Sequence, residues 1–199
     1  MTSDASANGQ VVILNGVPRS GKSSIVRQIQ STFEGPWVNL GVDVYMQATP
    51  ERYQPGIGLR PGGERPDLEP LIVTMYNALY ESIAAHSRLG LNVAVDVGHH
   101  HAYSVPLPVL ADAARRLAGL PVLLVGVRCP IEVIMQRRGA ADDAVPAPVL
   151  RWQRSAHDPG IYDLEVDTSV MTPEECARAI RRRLDGGPPP LALAQLAAR

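Results

Sequence analysis

Gly16-Val17-Pro18-Arg19-Ser20-Gly21-Lys22-Ser23 sets a glycine, four residues and then Gly-Lys-Ser, the spacing of a phosphate-binding loop. In such a loop the backbone N–H groups turn inward and make a nest for phosphate oxygens. The start of the following helix adds partial positive charge. Lys22 would reach the β- and γ-phosphates, and the Ser23 hydroxyl would ligate Mg²⁺. Gly16, Val17, Pro18, Arg19, Ser20, Gly21, Lys22, Ser23 and Ser24 are therefore the candidate nucleotide-binding residues. Of the 19 Lys and Arg residues, Lys22 is the single lysine. A chain this biased to arginine keeps its lysine where a compact ammonium suits phosphate better than a planar fork.

Two aspartates close apolar runs. Residues 37–42 read as a strand that ends at Asp43, and in an open parallel sheet ligands gather beyond the carboxyl ends of strands. Asp43 then lies on the same edge as the loop, with Tyr45 and Met46 in a short helix just after it. Residues 91–96 read as a strand closing on Asp96, which resembles the second acidic motif of phosphate-loop enzymes and makes Ser23 and Asp96 the candidate metal pair. His99-His100-His101 follow at once. Consecutive residues do not converge easily on one ion, so they read as polar lining of an acceptor pocket, with a surface turn as the alternative. Asp43, Tyr45, Met46, His99, His100 and His101 form the candidate acceptor-side set. Arg128, at the end of a fourth strand, falls on the same edge.

The elements that must hold these residues can be read in order. A strand over 11–14 leads into the loop and a helix that ends near Phe33. Residues 49–67 are rich in proline and glycine and read as a flap beside the acceptor pocket, or as a plain surface loop. Apolar spacing predicts helices over 68–87 and 105–117, a strand over 121–127, and helices over 131–138 and 148–155. A flexible acidic stretch, 139–144, separates the last two, and Arg151 and Arg154 share a face of the second. A strand over 163–167 precedes a helix capped by Thr172, with Pro173 first and Glu175 closing a capping box. That helix ends near Leu184, before Gly186-Gly187-Pro188-Pro189-Pro190. Residues 1–10 read as a disordered N-terminus, 11–185 as one domain, and 186–199 as a proline-rich tail or short extra helix.

With 199 residues, 45% hydrophobic content and a net charge of −1, the chain is large enough for one proper core and presents no strongly basic surface for nucleic acid or membrane. Cys129 and Cys176 fit no metal or redox spacing and read as buried thiols. No apolar run reaches membrane-spanning length, and Met1-Thr2-Ser3-Asp4 lacks the features of a signal peptide, so the cytoplasm is the expected location.

Val12-Ile13-Leu14-Asn15-Gly16, Gly41-Val42-Asp43, Val125-Gly126-Val127-Arg128-Cys129 and Tyr162-Asp163-Leu164-Glu165-Val166-Asp167-Thr168 resemble the chloramphenicol phosphotransferase family, over roughly residues 11–185. The resemblance implies an α/β fold of the P-loop NTPase class: a five-stranded parallel sheet flanked by helices, of the nucleoside-monophosphate-kinase kind. It implies transfer of the ATP γ-phosphate, with Mg²⁺, to an alcohol on a small antibiotic, and Asp43 as the base at the acceptor hydroxyl. Three departures stand out. The family lid carries a pattern like Arg-x-x-x-Arg-Gly-Asp-Arg. Arg137 matches its first arginine, but Ala141 and Ala144 stand at the other two. Arg128 and Arg138, with Arg19 and Arg151, are the arginines available to take their place, so the candidate catalytic set is Asp43, Lys22, Arg137, Arg138 and Arg128. Asp96 is preceded by Val95 where the family has an acidic pair. The three histidines replace an apolar and glycine stretch. The expected partner is a small-molecule hydroxyl acceptor, with homo-oligomerisation left open. A nucleoside, nucleotide-sugar or sugar acceptor is the alternative within the same chemistry. A nucleotide-binding regulator without transfer is the alternative outside it.

Overall fold

The computed structural model describes residues 7–54, 66–100, 103, 107–138 and 147–199. Its elements run β1 (Val11–Asn15), α1 (Lys22–Thr32), β2 (Trp37–Asn39), α2 (Val42–Gln47), α3 (Glu69–Arg88), β3 (Asn92–Val97), α4 (Val109–Arg116), β4 (Val122–Arg128), α5 (Ile131–Arg138), α6 (Ala147–Ser155), β5 (Leu164–Asp167), α7 (Pro173–Gly186) and α8 (Ala192–Ala197). The five strands pair in parallel in the order β2-β3-β1-β4-β5. This is the five-stranded parallel sheet flanked by helices that the resemblance implies.

Near-continuous apolar strands belong in a sheet buried on both faces. Successive side chains alternate between those faces. Val11, Ile13, Val93, Val95, Val97, Val122 and Leu124 pack with α3, α4 and α8. Val12, Leu14, Ala94, Leu123, Val125 and Val127 pack with α1 and α7. The same alternation places Asp96 on the α1 side with Ala94, and Asn15 on the α3 side with Ile13. Ile25, Val26 and Ile29 bury the inner face of α1, each contributing roughly 1.5–3 kcal/mol. A third cluster, Val17, Cys129, Ile134, Trp152 and Ala156, seats α5 and α6 against the phosphate loop. The capping box of α7 forms as read: Thr172 Oγ1 accepts from the Glu175 N–H at 3.2 Å, and Thr172 N–H donates to Glu175 Oε2 at 2.8 Å.

The structure differs from the sequence reading at the N-terminus and at β2, and at the C-terminus it takes the short extra helix that the reading offered beside a plain tail. Gly9 and Gln10 are ordered, not disordered. Gly9 N–H donates to Ser87 O, Val93 N–H donates to Gln10 O, and Gln10 N–H donates to Asn92 Oδ1. Residues 191–199 carry α8, whose Ala192 and Leu196 are buried in the core. β2 stops at Asn39, and Asp43 lies in the first turn of α2. The helix expected from 105 begins at Val109, after Pro108. The flap is bounded by 3₁₀ turns at Glu51–Tyr53 and Pro66–Leu68. Its centre, residues 55–65, and the acidic stretch 139–144 lie outside the described residues, as does the side chain of Arg151. No helix among the described residues is long and apolar enough to cross a membrane.

Candidate active site

The loop leaves β1 at Gly16, whose N–H donates to Val97 O at 3.3 Å. A Cβ on Gly16 would lie 2.5 Å from Val127 O, so the loop can pass over β4 only with glycine there. Arg19 and Gly21 have φ of 65° and 91°, the left-handed turns that aim successive N–H groups into one concavity. No side chain caps α1 at Gly21, which leaves its amino end for an anion. Ser20 Oγ is buried without a hydrogen-bond partner, an orphan that fits a cradle built for phosphate oxygens.

Lys22 Nζ donates to Gly16 O at 2.8 Å and Val17 O at 2.7 Å, folded back across the loop. Burial lowers its pKa from 10.5 to about 8, with Asp96 and Asp43 opposing the shift. Both carboxylates therefore act on this ammonium. Asp96 stands in the α1 layer, and its Oδ2 accepts from Ser23 Oγ at 2.6 Å. Two hard oxygen groups side by side, one hydroxyl and one carboxylate, fit Mg²⁺, which keeps several waters and needs no all-protein cage. Among the described residues no three His, Cys, Asp or Glu side chains gather as a metal cluster.

Asp43 is exposed, carried on the first turn of α2. Met46, one turn on, is a core residue that anchors α2, and Tyr45 packs at the core's edge. Two of the three histidines expected to line the acceptor pocket are buried in this structure. His99 is buried: its Nε2 is hydrogen-bonded to the Tyr80 hydroxyl, and its ring lies 5.0 Å from Tyr76 and 5.7 Å from Tyr80. His100 is buried with its ring 4.4 Å from Tyr103. Tyr76 and Tyr80 of α3 draw the His99 imidazole into an aromatic stack, while His100 meets Tyr103, three residues on. His101 lies outside the described residues.

Thr168, which sequence reasoning missed, ties the loop to α5. Its Oγ1 donates to Ser20 O at 2.7 Å. Arg137 Nη2 donates to Thr168 O at 2.7 Å, and Nη1 to Thr168 Oγ1 at 3.1 Å and Arg19 O at 3.2 Å. Arg19 returns a bond from its guanidinium to Arg137 O at 3.1 Å. Thr168 sits directly beyond β5, and the strand-end rule that singled out Asp43 would have found it. Arg19, Gly21, Lys22, Ser23, Ser24, Arg137, Thr168, Met171 and Pro173 enclose a cleft of ≈ 440 Å³. Arg128 is turned elsewhere: Nε donates to Glu165 at 2.5 Å and Cζ lies 5.6 Å from the Tyr162 ring centre. Arg138 closes α5, its side chain outside the described residues. The fold thus joins Asp96 and Arg137 to the loop by hydrogen bonds, carries Asp43 exposed on α2, and buries Met46, His99 and His100.

Residues 9–185 match the pattern of a protein family described as "Chloramphenicol phosphotransferase-like protein". A Mycobacterium tuberculosis protein named "Putative O-phosphotransferase" is 28% identical over 206 residues, covering 96% of this chain and 89% of that protein. Among solved structures, the M. tuberculosis APS kinase in complex with AMPPNP and APS superposes with a TM-score of 0.63 at 17% identity, over 90% of this chain and 99% of the other. The Acinetobacter baumannii shikimate kinase in complex with shikimate gives 0.57 at 14% identity, over 88% and 93%. At these identities the likeness is one of fold, and it is the fold of P-loop kinases. The family match spans all five strands of the sheet and the loops of the site, and the chain belongs to the chloramphenicol phosphotransferase-like family.

Proposed function

We propose that the chain is an ATP-dependent O-phosphotransferase that acts on a hydroxyl of a small molecule, with a chloramphenicol-like antibiotic as the first acceptor class. The observation that carries this reading is the phosphate loop itself, with the Ser23 hydroxyl donating to Asp96 Oδ2 at 2.6 Å and Asp43 exposed on the first turn of α2. ATP with Mg²⁺ supplies the phosphoryl group and offsets its charge, and Ser23 and Asp96 are the residues that would hold the metal. The loop amides and Lys22 bind and orient the phosphates. The base and sugar fit the cleft between Arg137 and the Met171–Pro173 turn. Asp43 accepts the acceptor's proton as its oxygen bonds to phosphorus and the bridging oxygen of ADP departs.

The family and the M. tuberculosis relative named as an O-phosphotransferase support this reading. The test is incubation with Mg²⁺ and γ-labelled ATP against chloramphenicol, other hydroxylated antibiotics, nucleosides and sugars, with products identified by mass. Label on an alcohol that disappears in Asp43→Asn is expected. Tight ATP binding with no transfer to any acceptor overturns it in favour of a nucleotide-binding regulator.

A further inference from the structure

Arg19 stands in the phosphate loop with φ 65°, and among the described residues no other non-glycine takes a positive φ. Glycine adopts this left-handed turn freely, whereas a Cβ crowds the following carbonyl. An arginine here therefore costs the backbone something, and strain of this kind gathers at ligand clamps and active sites.

The Arg19 side chain lines the cleft together with Lys22, Ser23 and Arg137. Among the described residues no acidic side chain lines it. A space walled by cations without a carboxylate suits a polyanion. Its cations are not equally available. Lys22 Nζ is folded onto Gly16 O and Val17 O. Arg137 commits its guanidinium to the protein: Nη2 donates to Thr168 O, and Nη1 to Thr168 Oγ1, to Arg19 O and to Cys129 Sγ. Arg19 makes one hydrogen bond from its guanidinium, from Nη1 to Arg137 O at 3.1 Å. The rest of its fork has no partner among the described residues, and the side chain is exposed.

That bond tethers the fork between the loop and the last turn of α5, on the wall of the cleft. The bond from Arg137 to Arg19 O holds the turn itself. A cation at the last carbonyls of a helix also stabilises the helix. Capping α5 accounts for one hydrogen bond, but not for the unpartnered remainder of the fork or for its place on the cleft wall.

We propose that Arg19 grips the phosphate chain of the bound nucleotide with the open part of its guanidinium, and that Arg137 is a positioning residue that holds the Arg19 turn. The proposal rests on the phosphotransferase reading and adds to the loop amides and Lys22 a second cation on the phosphates. Arg19 stays charged throughout and moves no proton. Its planar fork meets two phosphate oxygens at once, which an ammonium does not.

The test uses the full chain and needs no acceptor. Arg19→Gly suits the left-handed turn, so its urea unfolding midpoint should equal or exceed the native one. Calorimetric affinity for Mg·ATP and Mg·ADP should fall about tenfold to a hundredfold, while that for adenosine, followed by saturation-transfer NMR, stays within about threefold. Arg19→Lys, which keeps the charge and loses the fork, should recover part of the loss. Arg19→Asn also tolerates the turn; it should bind like the Gly variant and decides the matter if that variant does not fold. Arg137→Lys should weaken Mg·ATP binding in the native background and add little to Arg19→Gly, because Arg137 acts through Arg19. Unchanged Mg·ATP affinity in Arg19→Gly overturns the proposal. So does an equal loss for adenosine and Mg·ATP, the mark of a tie that only shapes the cleft. Additive losses in the double variant overturn the role given to Arg137. Failure of the native protein to bind Mg·ATP overturns the phosphotransferase reading and this proposal together.

Discussion

Gly41 and Asp96 are so close that a Cβ on residue 41 would stand 1.7 Å from Asp96 Oδ1. Gly41 itself has φ −63° and ψ 162°, a conformation any residue adopts, so the demand is for space alone. The glycine lets α2 start directly against the carboxylate whose other oxygen receives Ser23. Gly41→Ala must push Asp96 off Ser23. Because displacing such a support costs metal sites about tenfold to a hundredfold in affinity, the Mg²⁺ concentration for half-maximal nucleotide binding should rise by that factor. A Mg²⁺ titration at fixed ADP checks it; an unchanged midpoint would show that Asp96 is not a metal ligand.

Lys22 is the only lysine in the chain, which makes its titration directly readable. With its pKa lowered to about 8 by burial, the amine is substantially deprotonated at pH 8, where an ordinary lysine is almost fully charged. Labelling by an amine-reactive probe, followed by peptide mass spectrometry, should rise with pH through a midpoint near 8. Bound Mg·ATP places negative charge beside the ammonium, raises its pKa and covers it, so labelling at pH 8 should fall sharply.

Removing the base should separate binding from chemistry. Asp43→Asn keeps size and removes the acceptor for the hydroxyl proton, so the transfer rate should fall by about 10²–10⁴ with Mg·ATP affinity unchanged. Lys22→Ala should weaken nucleotide binding as well as transfer. Paired measurements of Kd and single-turnover rate distinguish the two. Full activity in Asp43→Asn would remove the assigned base.

Thr168 holds the loop and Arg137 with one side chain. Thr168→Val keeps the shape but leaves Ser20 O without its donor and Arg137 Nη1 with one acceptor fewer. A stability loss of about 1–2 kcal/mol is expected in urea unfolding, with weaker nucleotide binding. Arg137→Lys should weaken nucleotide binding too, since an ammonium cannot span Thr168 O, Thr168 Oγ1 and Arg19 O together.

The C-terminal segment is fastened by Asp163. Its Oδ1 accepts from Leu191 N–H at 2.7 Å and Ala192 N–H at 3.0 Å, and its Oδ2 from Leu124 N–H at 3.0 Å. Asp163→Ala strips the cap from α8 and should cost about 2–3 kcal/mol in the same assay. Deleting residues 188–199 should cost more, because Ala192 and Leu196 leave the core.

Much of the architecture could be read from local pattern. α5 begins and ends where its apolar spacing and arginines indicated, and the Thr172–Glu175 box is local chemistry that needs no tertiary context. The tail was legible only as an ambiguity, since Leu191-Ala192-Leu193-Ala194 becomes a helix by packing on α4 and β4 and by accepting a cap from Asp163. The burial of His99 and His100 was illegible for a related reason: two adjacent histidines look polar until Tyr76 and Tyr80 meet the first and Tyr103 the second.

What the sequence by itself determined is the phosphate loop and its setting, because a Gly-x-x-x-x-Gly-Lys-Ser turn between strand and helix is specified within some twenty consecutive residues. What only the tertiary structure decided is which other side chains meet that loop from distant strands and helices, beyond the Ser23–Asp96 pair the sequence already suggested: Thr168 on Ser20, Arg137 on Thr168, and the Asn15–Tyr162–His157 chain. Those contacts join residues up to 148 positions apart. They depend on strand order and on which face each residue takes, and neither is encoded in any short stretch of the chain.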